Sequence, residues 1–188
     1  MKLIVGLGNP GKEYSSSRHN AGFMFLEALK DKFLYQKDIY ATEWRIEDTF
    51  KGEISFVKRG STIVAVLMKP LTFMNNSGDA VSKIIKKMEI ENISENMILV
   101  HDDLDIALGE FKIQVGKSPN GHNGVKSVED RLGGINNFKR VRIGVDNRGE
   151  KNIKGEDYVL MKFDKEERII LDEAIQKAIQ SILLDIIW

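Results

Sequence analysis

The three histidines of the chain, His19, His101 and His122, all lie in polar segments beside predicted strands and helices. A neutral imidazole can take a proton from water when a carboxylate holds its other ring nitrogen. His19, at the start of a predicted helix, is the best candidate for such a base. Asp102, which follows a buried apolar run at residues 96–100, is the best candidate for its partner. The pattern indicates a histidine–aspartate pair, although a lone histidine is more often a satisfied polar group.

Three asparagines lie in similar segments. Asn9 belongs to residues 6–20, a stretch rich in glycine and serine that links the first predicted strand to the first helix. Asn75 and Asn123 each precede an apolar helical face, where capping is the simpler explanation for an isolated residue. An amide is both donor and acceptor without charge, which suits contact with a carbonyl group or a water. Together with the histidine and the aspartate, these amides indicate hydrolysis of a reactive bond, such as an ester, by activated water.

A dinucleotide site is one alternative, because residues 6–11 match the pattern G-x-G-x-x-G after a strand. In that class of site the helix begins within the motif, so that its N-terminus meets the pyrophosphate. Here Pro10 and the polar residues up to Ser17 delay the helix, and no strand ending in Asp or Glu follows about 20 residues later. The match is weak, and the glycines better fit a tight loop that places Asn9 beside His19.

Metal-assisted hydrolysis and serine catalysis have weaker support in the sequence. The carboxylates of Asp102, Asp103 and Asp105 could ligate Mg²⁺ or Mn²⁺, although no further acidic cluster completes an oxygen-rich shell. A serine nucleophile would come from residues 15–17, but the chain has no G-x-S-x-G elbow, and these serines are better explained as helix caps. We predict no metal and no cofactor.

Strands and helices alternate along the chain, which predicts an α/β fold: a single mixed, mostly parallel twisted sheet with helices on both faces. The length favours one domain over residues 1–188. Predicted strands cover residues 3–5, 43–50, 53–59, 62–68, 96–100, 110–115 and 139–145, with the second and third forming a hairpin; predicted helices cover residues 20–33, 72–88 and 125–132, and a last helix begins with a capping box at Asp164 and Glu167. Ligand sites form at the carboxyl ends of strands, so the segments after residues 5, 68, 100 and 115 should meet at one edge.

Composition narrows the class of protein. Hydrophobic residues make up 42% and charged residues 30% of the chain, as in soluble globular proteins. The lack of cysteine excludes disulfides and thiolate chemistry and suits a reducing cytosol, and neither a signal peptide nor a membrane span is predicted. Net charge is zero, yet residues 112–154 hold ten Lys/Arg against four Asp/Glu, a local excess of +6. Such a segment is typical of phosphate binding, although a solvated surface explains it equally well.

Five motifs in register resemble the bacterial peptidyl-tRNA hydrolase family over essentially the whole chain. They are GLGNPG at residues 6–11 with Tyr14 and RHNAG at residues 18–22, KPLTFMN at residues 69–75 with SG at residues 77–78, HDDLD at residues 101–105, GHNG at residues 121–124, and RVRIG at residues 140–144. The resemblance implies a monomeric, cofactor-free cytoplasmic enzyme without an obligate protein partner. It would cleave the ester between a peptide, or an N-blocked amino acid, and the terminal ribose of tRNA, releasing free tRNA for translation.

The resemblance also implies roles for residues at matching positions. His19 resembles the general base, Asp102 the group that keeps it basic, and Asn9 the residue that discriminates blocked from free aminoacyl-tRNA. Asn75 matches a substrate contact near the scissile carbonyl and its oxyanion, and Asn123 a contact that also positions the water. The remaining matches, Tyr14, Phe73, Arg142 and Lys151, are tRNA contacts, the last two at the acceptor stem and its 5′-phosphate. The implied partner is therefore the CCA end and acceptor stem of peptidyl-tRNA.

Two departures from the family pattern concern tRNA affinity rather than ester chemistry. Pro119 and Asn120 stand where a flexible pair of small residues is usual. Gln114 stands where a basic phosphate-binding residue is frequent, with Lys112 or Lys117 as candidate substitutes.

A non-catalytic RNA-binding member of the same fold would belong to a different functional class. The basic segment at residues 112–154 would suffice for that function. The retained set of His19, Asp102 and Asn9 favours the enzyme.

Overall fold

The computed structural model describes residues 1–34, 38–116, 120–149 and 151–187. Within these ranges, eight strands join into one sheet. The strands are β1 (Lys2–Gly6), β2 (Ile39–Ala41), β3 (Arg45–Glu47), β4 (Gly52–Arg59), β5 (Thr62–Pro70), β6 (Met97–Ala107), β7 (Phe111–Val115) and β8 (Lys139–Asp146). The helices are α1 (Ala21–Lys32), α2 (Ser77–Lys87), α3 (Ile93–Asn96), α4 (Asn123–Arg131), α5 (Gly155–Tyr158) and α6 (Lys165–Ile187), with 3₁₀ turns at Lys12–Tyr14, Arg18–Asn20 and Met74–Asn76.

The sheet is parallel in its core and antiparallel at both edges. β5, β1, β6 and β8 lie side by side in the same direction. β4, which lies between β5 and the short edge strand β2, is antiparallel to both of them, and β7 at the opposite edge is antiparallel to β8. The core strands are nearly continuous apolar runs because both of their faces are covered. The predicted α/β class and mixed sheet are confirmed.

Helices cover both faces of the sheet, as predicted. On one face α1 and α6 bury an apolar layer that includes Phe25, Leu29 and Ile175. On the other face α2 and α4 bury a second layer that includes Val81 and Val125. Among the described residues, no helix combines the length and the apolar content needed to cross a membrane.

Local sequence signals are confirmed at two places. The capping box of α6 is present: Glu167 N donates to Asp164 Oδ1 at 2.8 Å, and Asp164 N donates to Glu167 Oε2 at 3.0 Å. The predicted hairpin is formed by β3 and β4, which pair in antiparallel register, although β3 is only three residues long.

The predicted serine caps before the first long helix are wrong. The chain makes a 3₁₀ turn at Arg18–Asn20 before α1 begins, and neither element has a side-chain cap. Ser15 Oγ and Ser17 Oγ instead donate to the carbonyl oxygens of Lys12 and Tyr14, each at 2.8 Å. These hydroxyls stabilise the local turns that lead to α1, as serine commonly does in turns.

One strand end does not lie where the sequence predicts it. β7 is antiparallel to β8, so Val115 pairs with Lys139 at the amino-terminal edge of the parallel strands. The prediction that the segment after residue 115 leaves the sheet at the carboxyl edge is therefore wrong. The chain nevertheless returns to that edge before α4, where His122 contacts Asp102. Residues 117–119 of this connection lie outside the described ranges.

Candidate active site

His19 is held at the carboxyl edge of the sheet by the close packing of α1. Gly22 in the first turn of α1 permits this approach, because a Cβ there would lie 2.5 Å from backbone atoms of Leu7 and Val100. On the other side of the turn, His19 N donates to the carbonyl oxygen of Val159 at 2.8 Å. The imidazole is thereby brought to the end of β6.

The imidazole of His19 and the carboxylate of Asp102 form the predicted pair. Nδ1 of His19 lies 2.8 Å from Oδ1 and 3.0 Å from Oδ2 of Asp102. An ionised carboxylate only accepts hydrogen bonds, so Nδ1 carries the proton and donates it. In the neutral ring Nε2 is then the acceptor, which is the property that a general base needs.

His122 is a second partner of the same carboxylate. Its Nε2 lies 2.9 Å from Asp102 Oδ1, and its Nδ1 accepts from the backbone N–H of Val125 at 3.3 Å. These two contacts assign the proton of neutral His122 to Nε2. Asp102, whose side chain is almost fully buried, therefore accepts hydrogen bonds from two imidazoles. The double contact fixes the orientation of the carboxylate toward His19.

His101 is buried beside His122, with the two ring centroids 4.8 Å apart in an edge-on arrangement. Its Nδ1 donates to the backbone oxygen of Asp102 at 2.7 Å. Burial, followed by the proximity of His122, lowers the pKa of His101 to about 3. His101 is therefore neutral at physiological pH, and it holds the backbone of Asp102 rather than exchanging protons.

The environment of the pair sets its protonation. Burial alone would lower the pKa of His19, but the charge of Asp102 and its hydrogen bond outweigh burial and raise that pKa above its ordinary value. Burial alone would raise the pKa of Asp102, whereas His19 and His122 hold it well below the usual range. Asp102 is therefore ionised at physiological pH, and His19 becomes a base as the pH rises through its raised pKa.

A cavity of about 390 Å³ lies beside the pair. Its wall is built from the end of β6, the start of α4 and the segment around α5, and it includes His19, Asp102, His122, Asn123, Glu156 and Val159. Three predicted site residues, His19, Asp102 and Asn123, thus share one cavity. An oriented base and an amide around an open space meet the geometric requirement for hydrolysis by an activated water.

Asn9 is buried and connects the loop after β1 to the turn that carries Asn75. Its Oδ1 accepts from the backbone N–H of Met74 at 2.8 Å. The Asn20 amide holds the Asn9 backbone twice, since its Oδ1 accepts from Asn9 N at 2.8 Å and its Nδ2 donates to Asn9 O at 2.9 Å. Asn9 is therefore hydrogen-bonded to Asn20, the residue that follows His19. Asn75, next to Met74 in the same turn, is exposed.

Tyr14 and Phe73 form an aromatic pair from two separate loops. Their rings meet edge to face with centroids 6.4 Å apart, and Phe73 is 59% exposed. Exposed aromatic faces can stack on unpaired bases. The arrangement suits the predicted role of both residues as tRNA contacts.

The chain matches the family model described as peptidyl-tRNA hydrolase over residues 3–186. The chain belongs to the peptidyl-tRNA hydrolase family. The protein named peptidyl-tRNA hydrolase from Thermodesulfovibrio yellowstonii is 39% identical over 188 residues, covering 98% of this chain and 91% of that protein. The namesake from Bacillus cytotoxicus is 41% identical over 183 residues, covering 95% and 89%. The crystal structure of peptidyl-tRNA hydrolase from Acinetobacter baumannii superposes with a TM-score of 0.83 at 34% identity, over 99% of this chain and 88% of that one.

Arg142, which the sequence predicts at the acceptor stem, is buried in this member of the peptidyl-tRNA hydrolase family. Its side chain is 3% exposed, its Nε donates to Asp103 Oδ2 at 2.7 Å, and its Nη1 donates to Gln114. A buried guanidinium with these partners does not face a phosphate, so the structure does not support the predicted direct contact. Arg140 is buried as well, so part of the positive charge of residues 112–154 does not reach the surface.

Replacing Arg142 with methionine should lower the free energy of unfolding by about 3–5 kcal/mol, because the Asp103 carboxylate would remain buried without its partner. Lys112 is the matched control, since it is exposed and pairs with Arg142 across β7 and β8. Lys112→Met should change stability by less than about 0.5 kcal/mol in the same urea titration. An Arg142→Met variant as stable as wild type, but weaker in tRNA binding, would favour the phosphate contact instead.

The other positions that the sequence relates to tRNA binding differ in their exposure and in their hydrogen bonds. Lys151 is exposed after β8, as a phosphate contact requires. Gln114 accepts from Arg142, which leaves Lys112 as the exposed cation of β7. Asn120, at a φ of 48°, donates to Asp105 Oδ2 at 2.9 Å and so ties its end of the loop to the cavity wall. Lys117 and Pro119 lie outside the described residues.

Metal binding has one candidate group in the described part of the chain. It is not the aspartate cluster weighed as an alternative in the sequence but His19, Asp102 and His122, whose ligand atoms lie within 4.8 Å of one another. Both imidazoles donate a hydrogen bond to Asp102, and ligation of a metal through the same two nitrogens would require their protons to leave them. The donor set is therefore explained more simply by hydrogen bonding.

Two features of the site go beyond what the sequence predicts. His122 contacts the Asp102 carboxylate, and its position directly before Asn123 in the GHNG motif is the signal that could have revealed it. The cavity wall at Gly155, Glu156 and Val159 comes from the four-residue helix α5 and its exit, which carry no recognisable pattern.

Proposed function

We propose that this protein hydrolyses the ester bond between a peptide, or an N-blocked amino acid, and tRNA. The observation that carries the proposal is the 2.8 Å contact between His19 Nδ1 and Asp102 Oδ1 at the edge of an open cavity. It leaves Nε2 as a proton acceptor without requiring a metal or a covalent nucleophile. Membership of the family and the names of the relatives support peptidyl-tRNA as the ester that is cleaved.

In the proposed mechanism, His19 Nε2 takes a proton from a water as that water attacks the ester carbonyl carbon. The negative charge that develops on the carbonyl oxygen is stabilised by an amide N–H of Asn75, a kind of contact worth about 10²–10³-fold in rate. The tetrahedral intermediate collapses by breaking the bond to the ribose oxygen, which receives the proton from the His19 imidazolium. The products are the peptide acid and free tRNA, and the base is regenerated.

The remaining site residues bind substrate in this proposal. Asn123 positions the attacking water, and Asn9 distinguishes blocked from free aminoacyl-tRNA. Tyr14 and Phe73 supply aromatic surface for the CCA end, while Lys151 approaches the acceptor stem. The enzyme acts as a monomer in the cytoplasm. Its neutral net charge, with a local basic segment, fits a partner that is held at one face.

Purified protein should release an N-acetylated amino acid from tRNA in the presence of excess EDTA, because no step requires a metal. The measurement is the fraction of acid-precipitable label lost with time. Loss of turnover with chelator, restored by a divalent cation, would favour the metal mechanism. Tight tRNA binding without any release would favour the non-catalytic RNA-binding function.

A further inference from the structure

Arg18 directly precedes His19, yet its side chain is only 4% exposed. Its Nη1 donates to the carbonyl oxygens of Lys162 at 2.8 Å and Met161 at 3.3 Å, and its Nη2 forms an ion pair with Glu167. Burial of a guanidinium is costly unless its charge and its N–H groups find partners. Nη1 and Nη2 have acceptors and the charge is paired with Glu167, whereas the buried Nε has no hydrogen-bond partner among the described residues. The contact with Glu167 is therefore a buried ion pair rather than a surface pair.

Two aromatic rings complete the surroundings of the guanidinium. Its Cζ lies 4.2 Å from the centroid of the Tyr158 ring and 4.9 Å from that of Phe163. A planar guanidinium can pack on rings while its edge donates hydrogen bonds, which a lysine ammonium cannot reproduce. Arg18 thereby connects α5, residues 159–163 and the first turn of α6.

Glu167 is itself fixed in place. Its Oε2 closes the capping box of α6, and its Oε1 also accepts from Asn147 Nδ2 at 3.3 Å. The backbone N–H of Asn147 donates to the Tyr158 hydroxyl at 3.0 Å. The partner of Arg18 is therefore anchored to the end of β8 and to α6 together.

The same segment also contacts the backbone around the proposed base. His19 N donates to Val159 O at 2.8 Å, and Arg18 N donates to Met161 O at 3.0 Å. Val159 lies in the wall of the cavity. A displacement of residues 159–163 would therefore move both the cavity wall and the peptide unit that carries His19.

We propose that Arg18 is a positioning residue that, through Glu167 and residues 158–163, holds the His19 backbone so that the imidazole stays in contact with Asp102. The inference rests on the proposed function, in which His19 is the base. Loosening this contact should affect turnover more than tRNA binding, because the buried side chain of Arg18 is not part of the cavity wall. Misplacing a reacting group by about 1 Å can cost about 10²-fold in rate.

Two conservative variants test the proposal. Arg18→Lys keeps the charge but loses the planar fork, and Glu167→Gln loses the charge but keeps a side chain suited to the capping box. Each should lower kcat by about 10- to 100-fold and leave KM for N-blocked aminoacyl-tRNA within about twofold. Arg168→Met is the matched control: it removes an exposed arginine that pairs with Asp172 on α6, and should retain wild-type kcat.

An NMR titration gives a readout that does not depend on turnover. The chain has three histidines, so each imidazole can be followed separately. The titratable groups that share the cavity wall with His19, namely Asp102, Asp103 and Asp105 on β6, His122 before α4 and Glu156 on α5, are unchanged in these variants. A weakened contact with Asp102 should lower the pKa of His19 toward its ordinary value, while an unaltered His101 signal reports an intact fold.

Folded Arg18→Lys and Glu167→Gln variants with wild-type kcat and an unchanged His19 titration would overturn the inference. A fall in kcat that matches the loss of folded protein, with an unchanged His19 titration, would likewise reduce Arg18 to a purely structural residue. An inactive wild-type protein whose His19 titration still shifts on Arg18→Lys would contradict the proposed function and leave the positioning role intact.

Discussion

Replacing His19 with alanine should lower kcat for N-acetylated aminoacyl-tRNA by about 10²–10⁴-fold, the usual contribution of a general base. The other imidazole beside Asp102 cannot replace it, because Nε2 of His122 donates to Asp102 and its Nδ1 accepts from the backbone N–H of Val125. The affinity for tRNA should survive, because the proposed contacts Tyr14, Phe73 and Lys151 are untouched. Single-turnover hydrolysis with enzyme in excess measures the chemical step, and an electrophoretic shift measures tRNA binding.

The fold should tolerate this change. In the alanine variant Asp102 keeps the hydrogen bond from His122, so the buried carboxylate is not left without a partner. Circular dichroism and a thermal unfolding curve control for misfolding. Wild-type turnover by a folded His19→Ala variant would show that another group takes the proton.

Replacing Asp102 with asparagine should also lower kcat/KM, taken at the plateau of its pH profile, by about 10²–10⁴-fold, although the side chain keeps its shape. The carboxylate accepts N–H groups from both His19 and His122. Both rings contact Oδ1, and Nδ1 of His19 also lies 3.0 Å from Oδ2. In asparagine one of these two positions becomes an NH₂ group, which in either orientation faces Nδ1 of His19. Nδ1 of His19 then becomes the acceptor, so the proton of the neutral ring lies on Nε2. Nε2 must be unprotonated to act as the general base.

The pH dependence of kcat/KM distinguishes this specific loss of rate from a general disruption of the site. Asp102 raises the pKa of His19, so the acid limb of kcat/KM in the wild type should have its midpoint above the ordinary value of about 6.5. In Asp102→Asn that support is gone, and burial lowers the pKa of His19. The midpoint should therefore move to lower pH while the plateau falls.

Asp105→Asn is the comparison for charge in the same cavity wall. Asp105 accepts from Asn120 and contacts neither imidazole, so its loss should change the rate far less. The double variant His19→Ala/Asp102→Asn should be no slower than His19→Ala alone, because residues that act as a unit are not additive. Fully additive losses would show that Asp102 acts independently of His19.

The arrangement of the sheet core follows from local patterns in the sequence. Continuous apolar runs such as residues 62–68 predict strands covered on both faces, and β5 occupies that position. The direction of β7 could not be predicted in this way, because an alternating run of five residues fits either direction. Its antiparallel pairing depends on tertiary contacts with β8.

The pairing of His19 with Asp102 was predictable because both residues follow or precede strongly patterned elements at the same sheet edge. The burial of Arg142 was not, since an arginine on an alternating strand is ordinarily expected at the surface. The acceptors on the two neighbouring strands, Asp103 on β6 and Gln114 on β7, make a buried guanidinium acceptable there. The contribution of α5 also escaped prediction, because its four residues are too few to show a helical period.

The identity of the base is tested most directly by comparing two values of one pKa in the wild-type protein. One is the midpoint of the acid limb of kcat/KM for N-acetylated aminoacyl-tRNA, and the other is the titration midpoint of the His19 imidazole by NMR. If His19 held by Asp102 is the base, the two midpoints coincide and lie above about 6.5. A kinetic midpoint that differs clearly from the His19 titration would contradict the assignment.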